Sequence, residues 1–395
     1  MPRFLLRVLV PACAIVLGLL FAADPAAARK KPAPPPPAPQ ETGFLNRTLE
    51  LHGAHYHFQV YLPMDFRRDD HKQWPIILFL HGRGERGAEG MFQTQIGLPL
   101  QVRDHPERWP FIIVMPQCTY PNFWTDPDML KMAMAALDQE ANEFHADPAR
   151  TYLTGLSLGG YGSWELARNE PHRWAAVAVI AGGPFWSYAP ERWQLAATIP
   201  GDYARAVGRT PIWMFHGSED NVVPARESEL MFNAIKANNG HVRLWVYQGM
   251  HHDTWMRAYN EPELPRWLLA HRLASPEPPP LADRVVLPLH PIPVKLSSAL
   301  LDAISGEYHD AAGHLAATLF RQGDQLYEKD PHGEVTEVEP ESQNSFFYPN
   351  GSVWTRLMIE HDPDGRVSGV VFRDDRHEEH WERKRPVVAR KDASR

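Results

Sequence analysis

The chain has 395 residues, a formal net charge of −8 and only two cysteines. This length suggests two domains, since a typical domain has about 150 residues. The acidic balance, without a cluster of Lys and Arg, excludes nucleic acid as an expected partner. Two cysteines cannot form a disulfide framework, so we expect a hydrophobic core to stabilise the fold.

The first residues have the pattern of a secretory signal peptide. Arg3 and Arg7 precede an apolar run over residues 8–23, and small residues continue to Ala28. Cleavage after Ala23 or after Ala28 would fit this pattern and would leave a secreted or periplasmic protein with no integral membrane segment. The alternative is an uncleaved membrane anchor, but the apolar run is shorter than the roughly 20 residues that span a bilayer.

A proline-rich stretch follows, and after it strands and helices alternate. We predict a linker over 29–43 and a first folded domain over 44–274. The strand-like runs are 56–62, 76–80, 111–115, 151–153, 175–181, 212–215 and 242–247, and the clearest helical patterns are 129–144, 161–169, 225–238 and 262–273. Nearly continuous apolar strands that alternate with helices predict a mostly parallel sheet covered by helices on both faces.

The character of the chain changes after this domain. A second proline-rich linker is predicted first, and short strands of alternating polarity follow, separated by turn signals such as Asn350-Gly351. These strand-like runs are 315–321, 325–329, 346–348, 354–360 and 369–373. We therefore predict a linker over 275–295, a small antiparallel β-domain over 296–384 and a tail over 385–395.

Ser157 is the candidate nucleophile. Residues 155–159 read Gly-Leu-Ser-Leu-Gly, which is the G-x-S-x-G pattern. A strand-like run precedes it and a helical pattern follows it. Small residues on either side of the serine permit a sharp strand-to-helix turn that exposes the hydroxyl above the sheet.

A serine hydroxyl requires a general base, and the base requires a carboxylate to orient it. Asp220 follows the predicted strand 212–215, and two adjacent histidines follow the strand 242–247. The order serine, acid, histidine is that of α/β-hydrolases. We favour His252 as the base, with His251 as the alternative.

The proposed chemistry also requires an oxyanion hole, in which backbone N–H groups face the developing negative charge. One donor is expected on Leu158, directly after the nucleophile. The loop after the strand 76–80 contains three glycines and can turn a second amide toward the substrate. We assign that second donor to Arg83.

Aromatic residues are concentrated in loops that follow the predicted strands, where ligands bind in such sheets. We expect Tyr120, Trp124, Trp186 and Trp255 to line the substrate pocket, since aromatic walls suit aryl esters or the faces of sugars. The alternative is that these side chains anchor their loops by packing.

Two groups of histidines raise the question of a metal. One is formed by His52, His55 and His57, and the other by His377 and His380 with the two glutamates between them. Neither has the helical H-E-x-x-H spacing that places two ligands on one face. We predict no metal and no cofactor.

Five motifs in order resemble those of the secreted α/β-hydrolases known as predicted peptidases and polyhydroxybutyrate-depolymerase-like esterases, a group that includes feruloyl and acetyl xylan esterases. The resemblance covers roughly residues 51–273. The motifs lie at 80–87, 115–118, 155–160, 216–224 and 252–259. This resemblance implies an α/β-hydrolase fold with Ser157, Asp220 and His252 as the catalytic triad.

The predicted function is therefore a serine hydrolase that cleaves carboxylic esters through an acyl-enzyme. Its expected substrates are small-molecule or polysaccharide-linked esters. A serine peptidase that acts on short peptides is the first alternative, and a non-catalytic binding protein on a hydrolase scaffold is the second. The oligomeric state does not follow from the sequence.

Overall fold

A computed structural model describes residues 41–68, 71–184, 198–273, 281–352, 355–374 and 377–384. The predicted signal peptide, most of the first linker, Trp186 and the tail lie outside these residues.

The first part of the chain folds around a nine-stranded sheet, counted over the described residues. The strand order is β1-β2-β4-β3-β5-β6-β7-β8-β9, antiparallel from β1 to β4 and parallel from β4 to β9. The strands are β1 (Gly43–Leu51), β2 (Ala54–Leu62), β3 (Ile76–Leu80), β4 (Ile112–Pro116), β5 (Thr151–Leu156), β6 (Ala176–Ile180), β7 (Ile212–Gly217), β8 (Val242–Tyr247) and β9 (Ala282–Leu287). The predicted mostly parallel sheet is confirmed.

Helices cover both faces of this sheet. On one face pack α2 (Pro127–Glu143), α3 (Leu158–Asn169), α4 (Ile199–Val207) and α5 (Arg226–Ala237), and on the other pack α1 (Leu98–Asp104), α6 (Trp255–Asn260) and α7 (Glu263–Ala270). Alternate residues of β3 enter the two cores: Leu78 faces the first group of helices and Phe79 the second. Both faces are therefore dry, which explains the continuous apolar character of the central strands.

The main correction concerns the segment predicted as the second linker. Residues 282–287 form β9, which pairs in parallel with β8 and extends the sheet at its edge. Its side chains alternate between exposed and half-buried, as an edge strand allows. The surrounding prolines obscured this strand in the sequence. Helix α1 and helix α4 were also absent from the sequence prediction.

The second part of the chain is a closed antiparallel barrel preceded by helix α8 (Ser298–Ile304). Within the described residues it has eight strands, and β10 pairs with β17 to close it. The strands are β10 (Gly306–His309), β11 (Leu315–Gln322), β12 (Gln325–Lys329), β13 (Val335–Pro340), β14 (Ser345–Phe347), β15 (Arg356–His361), β16 (Val367–Arg373) and β17 (Glu378–Arg383). The predicted antiparallel β-domain is thus confirmed, although the sequence did not reveal β10, β13, β17 or the closure.

The barrel interior is filled by side chains. Its buried core includes Leu319, Leu326, Phe346, Leu357 and Trp381. Such packing is typical of small barrels, whose interior is just wide enough for side chains.

An ion pair joins the barrel to the first domain. The guanidinium of Arg373, at the end of β16, forms two hydrogen bonds to the carboxylate of Asp104, at the end of α1. One joins Nη2 to Oδ1 at 2.9 Å. Both side chains are largely buried, and the two-pronged geometry is the strong form of such a pair.

Candidate active site

Ser157 lies in the sharp turn between β5 and α3. Its φ is +50° and its ψ is −114°, a backbone conformation that is rare for any residue other than glycine. Close packing enforces the turn, because a Cβ on Gly159 would lie 1.9 Å from the backbone oxygen of Leu80. The serine is therefore held on a strained turn above the sheet, as the G-x-S-x-G pattern predicts.

A chain of hydrogen bonds links Ser157 to the two other residues that the sequence selected. The Oγ of Ser157 lies 2.8 Å from Nε2 of His252, and Nδ1 of the same ring lies 2.7 Å from Oδ2 of Asp220. A carboxylate accepts only, so Nδ1 carries the proton and Nε2 is free to accept from the serine hydroxyl. The arrangement can remove a proton from Ser157.

His251 is placed differently. Its Nδ1 bonds to the backbone oxygen of Glu219 at 2.9 Å, and its side chain is 62% exposed. The side chain of His252 is only 17% exposed. The geometry thus favours His252 over its neighbour.

Asp220 is buried, yet it is strongly stabilised as an anion. Its Oδ1 accepts hydrogen bonds from the backbone N–H groups of Val222 and Val223, at 2.9 and 2.8 Å. Burial favours the neutral acid, but hydrogen bonds from His216 and His252 outweigh it and hold the pKa of Asp220 well below its usual range.

His216 is the residue that the sequence analysis missed. It is fully buried, its Nε2 donates to the backbone oxygen of Val223 at 2.8 Å, and the same nitrogen lies 3.3 Å from Oδ2 of Asp220. Its other ring nitrogen lies 2.7 Å from the hydroxyl of Ser228. The signal was its position at the end of an apolar strand, directly before the loop that carries Asp220.

The expected oxyanion donors belong to two different elements. Arg83 belongs to the loop after β3, Leu158 begins α3, and both line the cavity that contains Ser157. The loop is anchored by His81, whose Nε2 accepts from the N–H of Cys118 at 2.9 Å and whose Nδ1 donates to the oxygen of Gly82 at 2.6 Å.

The cavity around Ser157 has a volume of about 480 Å³. Of the four predicted aromatic residues, Trp255 lines it, and its ring meets that of His252 edge-on at 5.3 Å. Tyr161 and Glu227, which the sequence analysis did not select, also line it, and their side chains are joined by a hydrogen bond of 3.3 Å. Further lining residues are Ile96, Leu156, Val222 and Val223.

Two of the residues predicted to line the pocket, Trp124 and Tyr120, do not line it. Trp124 is fully buried, and its Nε1 donates to the backbone oxygen of His81 at 3.0 Å, so it supports the loop after β3 from beneath. Tyr120 is 74% exposed and stacks against the guanidinium of Arg86, away from the cavity lining. Packing, which the sequence analysis weighed as the alternative, determines the position of Trp124.

Two features are absent from the described residues: a metal site and a membrane-spanning helix. Among the described residues, no group of three or more His, Cys, Asp or Glu side chains is arranged to hold a metal ion. In the same part of the chain, no helix combines the length and the apolar character needed to cross a membrane.

The chain is similar to known hydrolases. Residues 122–261 match the dienelactone hydrolase family. Dipeptidyl-peptidase 5 of Porphyromonas gingivalis is 24% identical over 227 residues, which cover 49% of this chain and 32% of that protein. Poly(3-hydroxyalkanoate) depolymerase C of Paucimonas lemoignei is 34% identical over 101 residues, 21% of this chain and 24% of that protein. The chain thus matches only about a quarter to a third of the length of these relatives.

A solved structure agrees with this result. A thermostable esterase superimposes with a TM-score of 0.50 and 26% identity, over 58% of this chain and 63% of that one. The fold and the family match are both those of α/β-hydrolases. The chain is thus similar to esterase-like α/β-hydrolases over its first domain, and a β-barrel follows that domain.

The buried ring of His81 makes a pH dependence testable. Burial lowers the pKa of His81 to about 4, from an ordinary value of 6.5. Between these values the unfolded chain binds a proton that the folded chain does not, so stability should fall as the pH falls from 6.5 to 4. We expect this histidine to account for a loss of roughly 3 kcal/mol in the free energy of unfolding.

Urea unfolding of the wild type and of His81→Gln at pH 7 and pH 4 measures this effect. All other titrating groups are the same in the two proteins. The difference in the free energy of unfolding between the wild type and His81→Gln should therefore be smaller at pH 4 than at pH 7 by the roughly 3 kcal/mol expected for His81. An advantage that is the same at both pH values would contradict the assignment.

Proposed function

We propose that the protein is a carboxylesterase that works through an acyl-enzyme on Ser157. The observation that carries this proposal is the continuous chain of hydrogen bonds from Ser157 through His252 to Asp220. Similarity to a thermostable esterase supports an ester as the substrate. An alkoxide also leaves more easily than an amine.

The reaction would proceed in two halves. Ser157 Oγ attacks the ester carbonyl while His252 Nε2 takes its proton, and the negative charge on the carbonyl oxygen is met by the N–H groups of Leu158 and Arg83. The ester bond breaks as His252 returns the proton to the leaving alcohol. Water then attacks the acyl-enzyme with His252 again as the base, and this releases the acid and restores the serine.

Paired variants of the adjacent histidines test this mechanism. With p-nitrophenyl acetate, we expect Ser157→Ala and His252→Ala to lower kcat by at least about 10⁴-fold, because the nucleophile and its base act as one unit. The matched control is His251→Ala, which should keep most of the activity. Equal losses in the two histidine variants would refute the assignment of the base.

A comparison of substrates separates the esterase from its alternatives. Similarity to a dipeptidyl-peptidase makes peptide hydrolysis the second candidate, and an aminoacyl p-nitroanilide detects it directly. Faster cleavage of the anilide than of p-nitrophenyl acetate would favour the peptidase. No turnover of either, with no labelling of Ser157 by a fluorophosphonate, would leave a binding protein.

We infer that His216 is a positioning residue for Asp220. Its ring N–H contacts the carboxylate and the loop oxygen of Val223 at once, so it holds the acid in the orientation that His252 requires. Hydrogen bonds to charged groups contribute about 1.5–3 kcal/mol. His216→Leu should therefore lower kcat by about 10- to 100-fold.

The KM should stay unchanged, because His216 does not line the cavity at Ser157. His216→Gln retains an N–H donor and should restore part of the rate. A higher KM and a lower stability, with kcat preserved, would show that the histidine only supports the fold.

Export is the remaining part of the proposal. It is supported by Arg3 and Arg7, the apolar run 8–23 and the small residues after it. Mass spectrometry of the protein made in its natural host should find Asp24 or Arg29 as the first residue. An intact N-terminus on membrane-bound protein would instead support the anchor.

A further inference from the structure

A second cavity, of about 620 Å³, lies where the barrel meets the hydrolase domain. Residues of both the barrel and the hydrolase domain line it. Residues of the hydrolase domain within 95–104 and 253–256 form one side, and Arg373, Asp374, His377 and Glu378 of the barrel form the other. The ion pair between Arg373 and Asp104 lies in this wall and holds the two sides together.

This barrel cavity adjoins the cavity that contains Ser157. Ile96 and Trp255 line both of them. The two cavities are therefore neighbours, and a substrate longer than a simple ester would have to pass Trp255 to occupy both.

The position of His252 indicates which part of the substrate would extend there. The base must return its proton to the leaving oxygen, so the alcohol has to lie on the side of His252. Trp255 packs edge-on against this ring, and the barrel cavity begins at Trp255. The barrel cavity is therefore on the alcohol side of the scissile bond.

The lining combines apolar surface with acceptors of hydrogen bonds. Leu100 and the ring of Trp255 supply the apolar part, and carboxylates of Asp253, Asp374 and Glu378 supply the acceptors. An aliphatic alcohol would remove water from these carboxylates without replacing its hydrogen bonds, which is costly. Hydroxyl groups can donate to them, while the apolar face of a sugar ring can rest on the indole.

We propose that the barrel cavity binds a hydroxyl-rich alcohol, such as an oligosaccharide, whose ester is cleaved at Ser157. The barrel is thus part of the substrate site of this enzyme. Arg373 offsets the charge of Asp104 and Glu378, so the site suits a neutral polyol better than a cation. This inference rests on the proposed esterase activity.

Acetyl esters of different alcohols test the proposal, because a constant acyl group isolates the alcohol side. The substrates are ethyl acetate, acetylated xylotetraose, acetylated cellotetraose and acetylcholine. We expect kcat/KM to be at least about tenfold higher for one of the two sugar esters than for ethyl acetate. Leu100→Trp, which fills the barrel cavity, should remove this gain of the sugar ester over ethyl acetate.

Leu315→Trp provides the matched control, since Leu315 is exposed on β11 and does not line either cavity. It should keep the preference for the sugar ester. Gln95→Trp fills the same cavity from an exposed position and replaces Leu100→Trp if that variant does not fold.

Calorimetric titration of Ser157→Ala with the two unesterified tetrasaccharides separates the two proposals. If p-nitrophenyl acetate is not hydrolysed, the esterase proposal fails, but tetrasaccharide binding that Leu100→Trp abolishes would still support the barrel cavity. The cavity proposal is overturned if neither sugar ester exceeds ethyl acetate, or if both cavity-filling variants keep the preference. A preference for acetylcholine would overturn it in favour of a cation site.

Discussion

The proposed active site depends on a buried carboxylate that remains charged. Asp220 lies at the end of β7, where burial alone would favour its neutral form, and two backbone amides and two imidazoles donate to it. Because an ionised acid only accepts hydrogen bonds, it orients His252 with Nδ1–H toward it and leaves Nε2 to face Ser157. The backbone hydrogen bonds that stabilise the charge of Asp220 also fix the conformation of the loop 218–223. The charge of the site and its backbone geometry therefore depend on the same contacts.

The loop after β3, which lines the same cavity, is held by a similar set of buried hydrogen bonds. Here a neutral histidine rather than an anion does the anchoring, because the ring of His81 both donates and accepts within a dry interior. Trp124 supports the same loop from below. These two side chains thus fix the backbone of a loop that lines the cavity, and the proposed oxyanion amides would lose little energy to rearrangement during the reaction.

The barrel is attached at the edge of the proposed site rather than at a distance from it. The ion pair between Arg373 and Asp104 joins it to α1, and α1 follows the segment that contributes Ile96 to the cavity at Ser157. Its interior is packed with side chains, so any ligand contact must come from its outer surface and loops. That is where Arg373, Asp374, His377 and Glu378 lie.

Periodicity and short motifs depend on neighbouring residues, so they can be read from the sequence. They were sufficient to predict the alternating strands and helices, the turn at Ser157 and the order of Asp220 and His252. They also predicted the change to an antiparallel β-domain. They were insufficient for β9, which is held by pairing with β8 despite its prolines, and for the closure of the barrel between β10 and β17. The roles of Trp124, Tyr120 and His216 also escaped them. Whether such a side chain faces a cavity, solvent or a buried carboxylate is set by residues distant in the chain, and these contacts form only when the sheet, its loops and the barrel pack together.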